Sequence, residues 1–214
     1  MKNSEAVDNY ISFASANNAA TAQALLFAIK HQKDDKLKII FAIRIYFEIL
    51  QSTEMLIKLI YILKHKCDFI EGLFKDIDFP KLEKEYYEEI IKYSGKEYGY
   101  LVECLDIPEE LINNEPSNVI EGIYKAIKAG LETRNTNFKG IKRPLVKFYN
   151  NIKHGFPVFL ENNNVLTIYL SKNETATIST NESLVSKWVD TAIALRKTAM
   201  NLLYLLSICY KKLE

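Results

Sequence analysis

The chain has 214 residues, 48% of them hydrophobic, with 28 lysines and arginines against 27 aspartates and glutamates. That length suits one domain, or one domain with an excursion, and the apolar fraction allows a sizeable core. A formal net charge of +1 excludes a global field as the basis for binding nucleic acid or membranes, so any such binding must come from a local patch.

The three cysteines, Cys67, Cys104 and Cys209, are few, odd in number and without metal-ligand spacing. Packed thiols in a reduced compartment are expected rather than disulfides. The opening MKNSEAVDNY lacks the apolar stretch of a signal peptide. No uncharged apolar run approaches the roughly 20 residues of a membrane span. The longest candidate, Thr198 to Tyr210, is shorter and continues an amphipathic pattern. A cytoplasmic protein without a membrane segment is expected.

Seven glycines and five prolines favour helices over a turn-rich β fold. From Glu5 to about Gln32 the chain is alanine-rich and free of glycine and proline, which predicts one long helix. Asp34 and Asp35 punctuate it. The most apolar segment runs from Leu37 to Leu63, with Arg44, Glu48, Gln51 and Lys58 at helical spacing. So narrow a polar stripe predicts a helix buried on most sides, at the centre of a bundle. Phe79 to Glu132 holds many of the acids and predicts shorter, more exposed helices, interrupted near Gly95, Pro108 and Pro116. Asn118 to Leu131 and Ile141 to His154 are further helices, the second with Pro144 in its first turn.

The pattern then changes. Val158 to Leu160 and Val165 to Leu170 are rich in β-branched and apolar residues, and Asn162, Asn163 and Asn164 between them suit a tight turn. This predicts a β-hairpin, with Thr175 to Thr180 as a candidate third strand. The last helix starts near Asn181 as N-cap and carries an apolar face of Val185, Trp188, Ala192, Leu195, Ala199, Leu202, Leu206 and Cys209. The expected fold is mainly α: a single helical bundle over residues 1–214, with a small β-hairpin at about 158–170 inserted before the C-terminal helix.

Several chemistries are excluded by motif. There is no GxGxxG, no P-loop, no GxSxG, and no HExxH or CxxC context for His31, His65 or His154. No metal or cofactor is expected. His31 and His65 each fall in the last turn of a predicted helix, where a cation suits the helix dipole.

His154 has different surroundings. Between Glu132 and Glu161 there is no acid, while Arg134, Lys139, Lys142, Arg143, Lys147 and Lys153 make a local basic block. Phe138, Phe148, Tyr149 and Phe156 are mixed in. Basic groups bind phosphates, and aromatics stack on bases. On a helix, Arg143, Lys147, Asn150 and His154 step by four, three and four and share one face, with Leu145, Phe148, Tyr149 and Ile152 on the other. Two readings follow. In one, Gly155 and Pro157 simply stop a helix and the basic block faces the acidic middle of the chain. In the other, the basic face binds RNA or a nucleotide.

The run Tyr149-Asn150-Asn151-Ile152-Lys153-His154-Gly155-Phe156 resembles the motif of the HEPN superfamily (higher eukaryote and prokaryote nucleotide-binding). That motif is an arginine, a polar residue, three further residues and a histidine, often followed by glycine and tyrosine. Asn150, His154 and Gly155 match; Tyr149 stands where the arginine belongs and Phe156 where the tyrosine often is. The resemblance implies an all-helical bundle and a homodimer with two motifs facing each other across its interface. Many members are metal-independent endoribonucleases of defence or toxin–antitoxin systems; others bind RNA or nucleotides without cleaving. Carried over, His154, Asn150 and Tyr149 occupy the catalytic positions, and Arg143, Lys147 and Lys153 bind ligand. Tyr149 brings no positive charge, and losing one such electrostatic contact costs on the order of 10²–10³ in rate. Weak or absent nuclease activity is therefore expected. The alternatives are an active endoribonuclease using His154 with another cation, and a non-catalytic dimeric module that binds another protein.

Overall fold

The computed structural model describes residues 2–93, 97–113, 117–135, 158–161, 165–171, 174–179 and 182–213. These are mainly helical. Two long helices, α1 (Asn3–His31) and α2 (Asp35–His65), are followed by four short ones: α3 (Phe69–Phe74), α4 (Phe79–Lys92), α5 (Glu97–Glu103) and α6 (Glu109–Asn113). Then come α7 (Ser117–Asn135) and, at the far end, α8 (Glu182–Leu213). Between them the backbone carries three strands, β1 (Val158–Glu161), β2 (Val165–Ser171) and β3 (Glu174–Ser179), paired antiparallel in that order. Leu160 opposes Leu166, and Leu166 opposes Ile178. The helix expected at 141–154 and the Asn181 cap lie outside the described residues.

Helix ends follow local chemistry. Asp68 caps α3 by accepting the Glu71 amide N–H at 3.0 Å, and Asp78 caps α4 by accepting that of Lys81 at 3.2 Å, with Pro80 in the first turn. Lys30 and His31 close α1, and Lys64 and His65 close α2, where the lysine charges complement the helix dipole. In the loop after α1, the Gln32 side-chain oxygen accepts the backbone N–H groups of Lys33 (2.8 Å) and Asp34 (3.0 Å). Lys66 after α2 and Asp106 after α5 take left-handed backbone angles (φ 48° and 53°), and they form an ion pair with each other.

The chain divides into two compact units, one of Met1–Asn18, Ser52–Leu131 and Ala194–Glu214, the other of Ala19–Gln51 and Glu132–Ile193. In the first unit, no residue of α2 from Ser52 to Leu63 is exposed. The same unit fully buries Phe69 of α3, Tyr100 and Leu101 of α5, Ile127 of α7 and Leu202 of α8. Each buried leucine or isoleucine contributes about 1.5–3 kcal/mol, which outweighs the weak helix propensity of an isoleucine-rich segment. Polar ties join distant parts of this unit. Asp8 accepts the Ser207 hydroxyl at 2.6 Å and the Lys211 ammonium at 2.8 Å, and the Tyr210 hydroxyl donates to the Cys67 carbonyl at 2.6 Å.

Among the described residues of the second unit, the end of α1 and the start of α2 are less covered. α2 was expected to be buried on most sides from Leu37 onward; Arg44 of its polar stripe is exposed, as are the apolar Leu37 and Ile40. An apolar composition states how much a helix could bury, not how much neighbouring chain reaches it. Between Thr21 and His31 of α1, Ile29 alone is buried among the residues whose side chains are described, and Phe27 is 65% exposed. On α8, Val185, Ala192, Leu195, Ala199, Leu202 and Leu206 of the expected face are buried, with Trp188 and Cys209 half-buried. Val185–Lys211 is the one stretch among the described residues long and apolar enough to cross a membrane, and half of its most apolar window is buried within the fold.

Two glycine substitutions should have opposite signs. A methyl group on buried Gly72 would run into Ile62 Cγ1 and lie 3.0 Å from Cys67 Sγ, and Ile62 is itself fully buried. Gly72→Ala should lower unfolding stability by about 1–3 kcal/mol. Gly122, exposed in α7, has open space at that position, so Gly122→Ala should raise stability by about 0.5–1 kcal/mol. Urea midpoints report both. A third test concerns pH. Hydrogen bonds from Lys211 and Ser207 hold the Asp8 carboxyl below its ordinary value of 3.8. A lowered carboxyl stabilises the fold above that value and loses the effect as pH falls through the folded-state value. Asp8→Asn should therefore reduce the urea midpoint at pH 6 and change it little at pH 2.

Candidate functional site

The six residues assigned to the site from sequence, Tyr149, Asn150, His154, Arg143, Lys147 and Lys153, lie outside the described residues. The chain that leads into them is α7. Its buried face of Ile120, Ile123, Tyr124, Ile127 and Leu131 recurs at helical spacing and anchors it in the first unit. Its last turn, from Glu132, belongs to the second unit, as do β1 to β3.

The alternative that the basic block serves the acidic middle of the chain can be weighed at α4, the densest acidic segment. Three of its acids, Glu85, Glu88 and Glu89, already have cations. Lys81 sits 4.0 Å from Glu85; Lys84 and Lys92 sit 3.9 and 3.4 Å from Glu88; Lys64 of α2 lies 2.6 Å from Glu89. Such exposed pairs contribute only about 0.3–0.5 kcal/mol each to stability. They nonetheless match the charge of α4 within its own neighbourhood.

The first unit also holds a dense polar cluster. The Lys64 ammonium, paired with Glu89, lies 5.3 Å from the centroid of the Tyr86 ring. The rings of Tyr93 and Tyr124 stand edge-on to Tyr100 at 5.7 and 5.8 Å. Tyr86 and Tyr100 are buried, and their hydroxyls have no hydrogen-bond partner. Burial pushes both phenols well above their ordinary range. Burial, with the Glu89 carboxylate nearby, also pushes the Cys104 thiol up. The thiolate is the reactive form of cysteine, so this environment disfavours nucleophilic reactivity at Cys104. The cluster has the character of a core network, not of a nucleophilic site. Among the described residues no three His, Cys, Asp or Glu side chains converge as metal ligands.

The two described histidines share a feature the sequence reading missed. Each ring packs on an aromatic one turn earlier: His31 on Phe27, with centroids 4.2 Å apart, and His65 on Tyr61, at 4.3 Å. An aromatic four residues before a helix-terminal histidine was the available signal.

In a Cys67→Ser/Cys209→Ser background, Cys104 should react with Ellman's reagent far more slowly in the folded protein than in urea; equal rates would show an accessible thiolate. In comparisons with known proteins, the chain matches no family model, no curated protein and no solved structure.

Proposed function

We propose that the protein is a cytoplasmic, HEPN-like RNA- or nucleotide-binding homodimer with weak or no nuclease activity, acting in phage defence or as a toxin–antitoxin component. In this reading the strands between 158 and 179 are an insertion before the last helix of the bundle. The observation that carries it is the acid-free block of sequence between Glu132 and Glu161, in which Arg143, Lys147, Asn150 and His154 step by four, three and four, the spacing of one face of a helix. The charge matching inside α4 supports it, because those acids do not call for this block.

The chemistry follows from the residue types. Metal-independent RNA cleavage starts when a base removes the 2′-hydroxyl proton. The 2′-oxygen then attacks phosphorus, and the bond to the 5′-oxygen breaks as that oxygen is protonated. Histidine as a residue type suits such a base near neutral pH, and His154 is the candidate for that role. The family motif places an arginine beside the phosphorane, and Tyr149 brings no charge to it, so binding outlasts cleavage.

At low salt the protein should bind single-stranded RNA. If Arg143, Lys147 and Lys153 each contact a phosphate, log affinity should fall against log salt with a slope of about −2. Arg143→Ala/Lys147→Ala should weaken binding and flatten that slope. His154→Ala should leave most binding in place and remove any residual cleavage. A wild type that binds neither RNA nor nucleotide at low salt overturns the proposal and leaves the helix-stop reading of YNNIKHGFP.

A further inference from the structure

The geometry points to a base-stacking subsite at the end of α1, in which Phe27 stacks on a nucleobase of single-stranded RNA while Lys30 and Lys33 hold its phosphates. The choice of RNA rests on the function proposed above. The subsite itself rests on other residues, all in the second unit.

Phe27, Lys30 and His31 occupy positions i, i+3 and i+4, so they share one face of α1. Phe27 remains 65% exposed although the His31 ring lies 4.2 Å away at an angle of 46°. Lys30 and Lys33 are exposed and make no ion pair among the described residues. Gln32 fixes the loop through two backbone hydrogen bonds, which sets where Lys33 emerges. Of the two acids that follow, Asp35 is paired with Lys38 at 3.1 Å.

The end of α2 is the internal control. It carries the same aromatic–histidine pair, Tyr61 and His65, flanked by Lys64 and Lys66. There Tyr61 is only partly exposed, Lys64 is held by Glu89 and Lys66 by Asp106. The two sites thus differ in what a nucleic acid requires: an open aromatic face and unmatched cations. Stacking on an aromatic tolerates any base, and flanking lysines track the backbone.

The test is fluorescence anisotropy with labelled oligouridine and oligoadenosine at low salt. Phe27→Ala and Phe27→Leu should each weaken binding roughly five- to hundredfold, and Phe27→Trp should retain it. Lys30→Ala/Lys33→Ala should weaken binding and reduce the salt slope by about 1.4. Because Phe27 is exposed, circular dichroism should show these variants folded. Wild-type affinity in Phe27→Ala or in Phe27→Leu overturns the subsite. Loss of binding in Arg143→Ala/Lys147→Ala with full binding in Phe27→Ala sinks this inference alone. The reverse pattern supports it and sinks the assignment of the basic block. A wild type that binds neither oligonucleotide overturns both.

Discussion

A helix covered around most of its circumference organises the first unit. From Ser52 to Leu63, α2 has eight buried residues, with Glu54, Met55, Lys58 and Tyr61 half-buried, so most directions around it must be filled by another part of the chain. The unit accordingly draws on α1, on the short helices from α3 to α7, and on the second half of α8. Long cationic side chains at its margin reach outward to polar partners: Lys58 donates to the Leu73 carbonyl and lies 5.6 Å from the centroid of the Phe79 ring, and Lys64 reaches Glu89. Their aliphatic stems stay against apolar surface while the charged ends find acceptors, the usual compromise of lysine at the edge of a core.

Charge is distributed unevenly between the units although the chain is close to neutral. In the first unit many of the described cations have partners, among them those of α4, Lys66 with Asp106, and Lys211 with Asp8. The second unit contains the end of α1, with Lys30 and Lys33 unmatched among the described residues, and it contains the acid-free stretch of sequence. A field averaged over the whole molecule therefore understates what an anion would meet locally, because screening confines each patch to about 10 Å at moderate salt.

Much of the helical order was legible in the sequence because its signals are local. Asp34 and Asp35 mark the break between α1 and α2, and Gly95, Pro108 and Pro116 fall between the short helices that follow. The face of α8 was readable because leucine and alanine recur at steps of three and four and are indeed buried. Exposure was less legible. Leu37, Ile40 and Phe27 look like core residues by type, and only the surrounding chain decides whether they are covered. Glu83 shows the converse, a glutamate in an amphipathic helix that is buried beside Tyr86 and Ile90 in the same apolar period. The candidate site was legible as spacing and charge alone, in Arg143, Lys147, Asn150 and His154, whose residues fall outside those described.

The tie between Asp8 and Ser207 also has a consequence for synthesis, since 199 positions separate the two residues. At about 5–20 residues per second, the ribosome needs roughly ten to forty seconds between them. During that interval the apolar stretch of α2 has been made, but the helix that completes its surroundings has not. Loop closure over such a span is slow compared with helix formation, so the nascent chain carries an isoleucine-rich helix whose covering stays incomplete until α8 has been made.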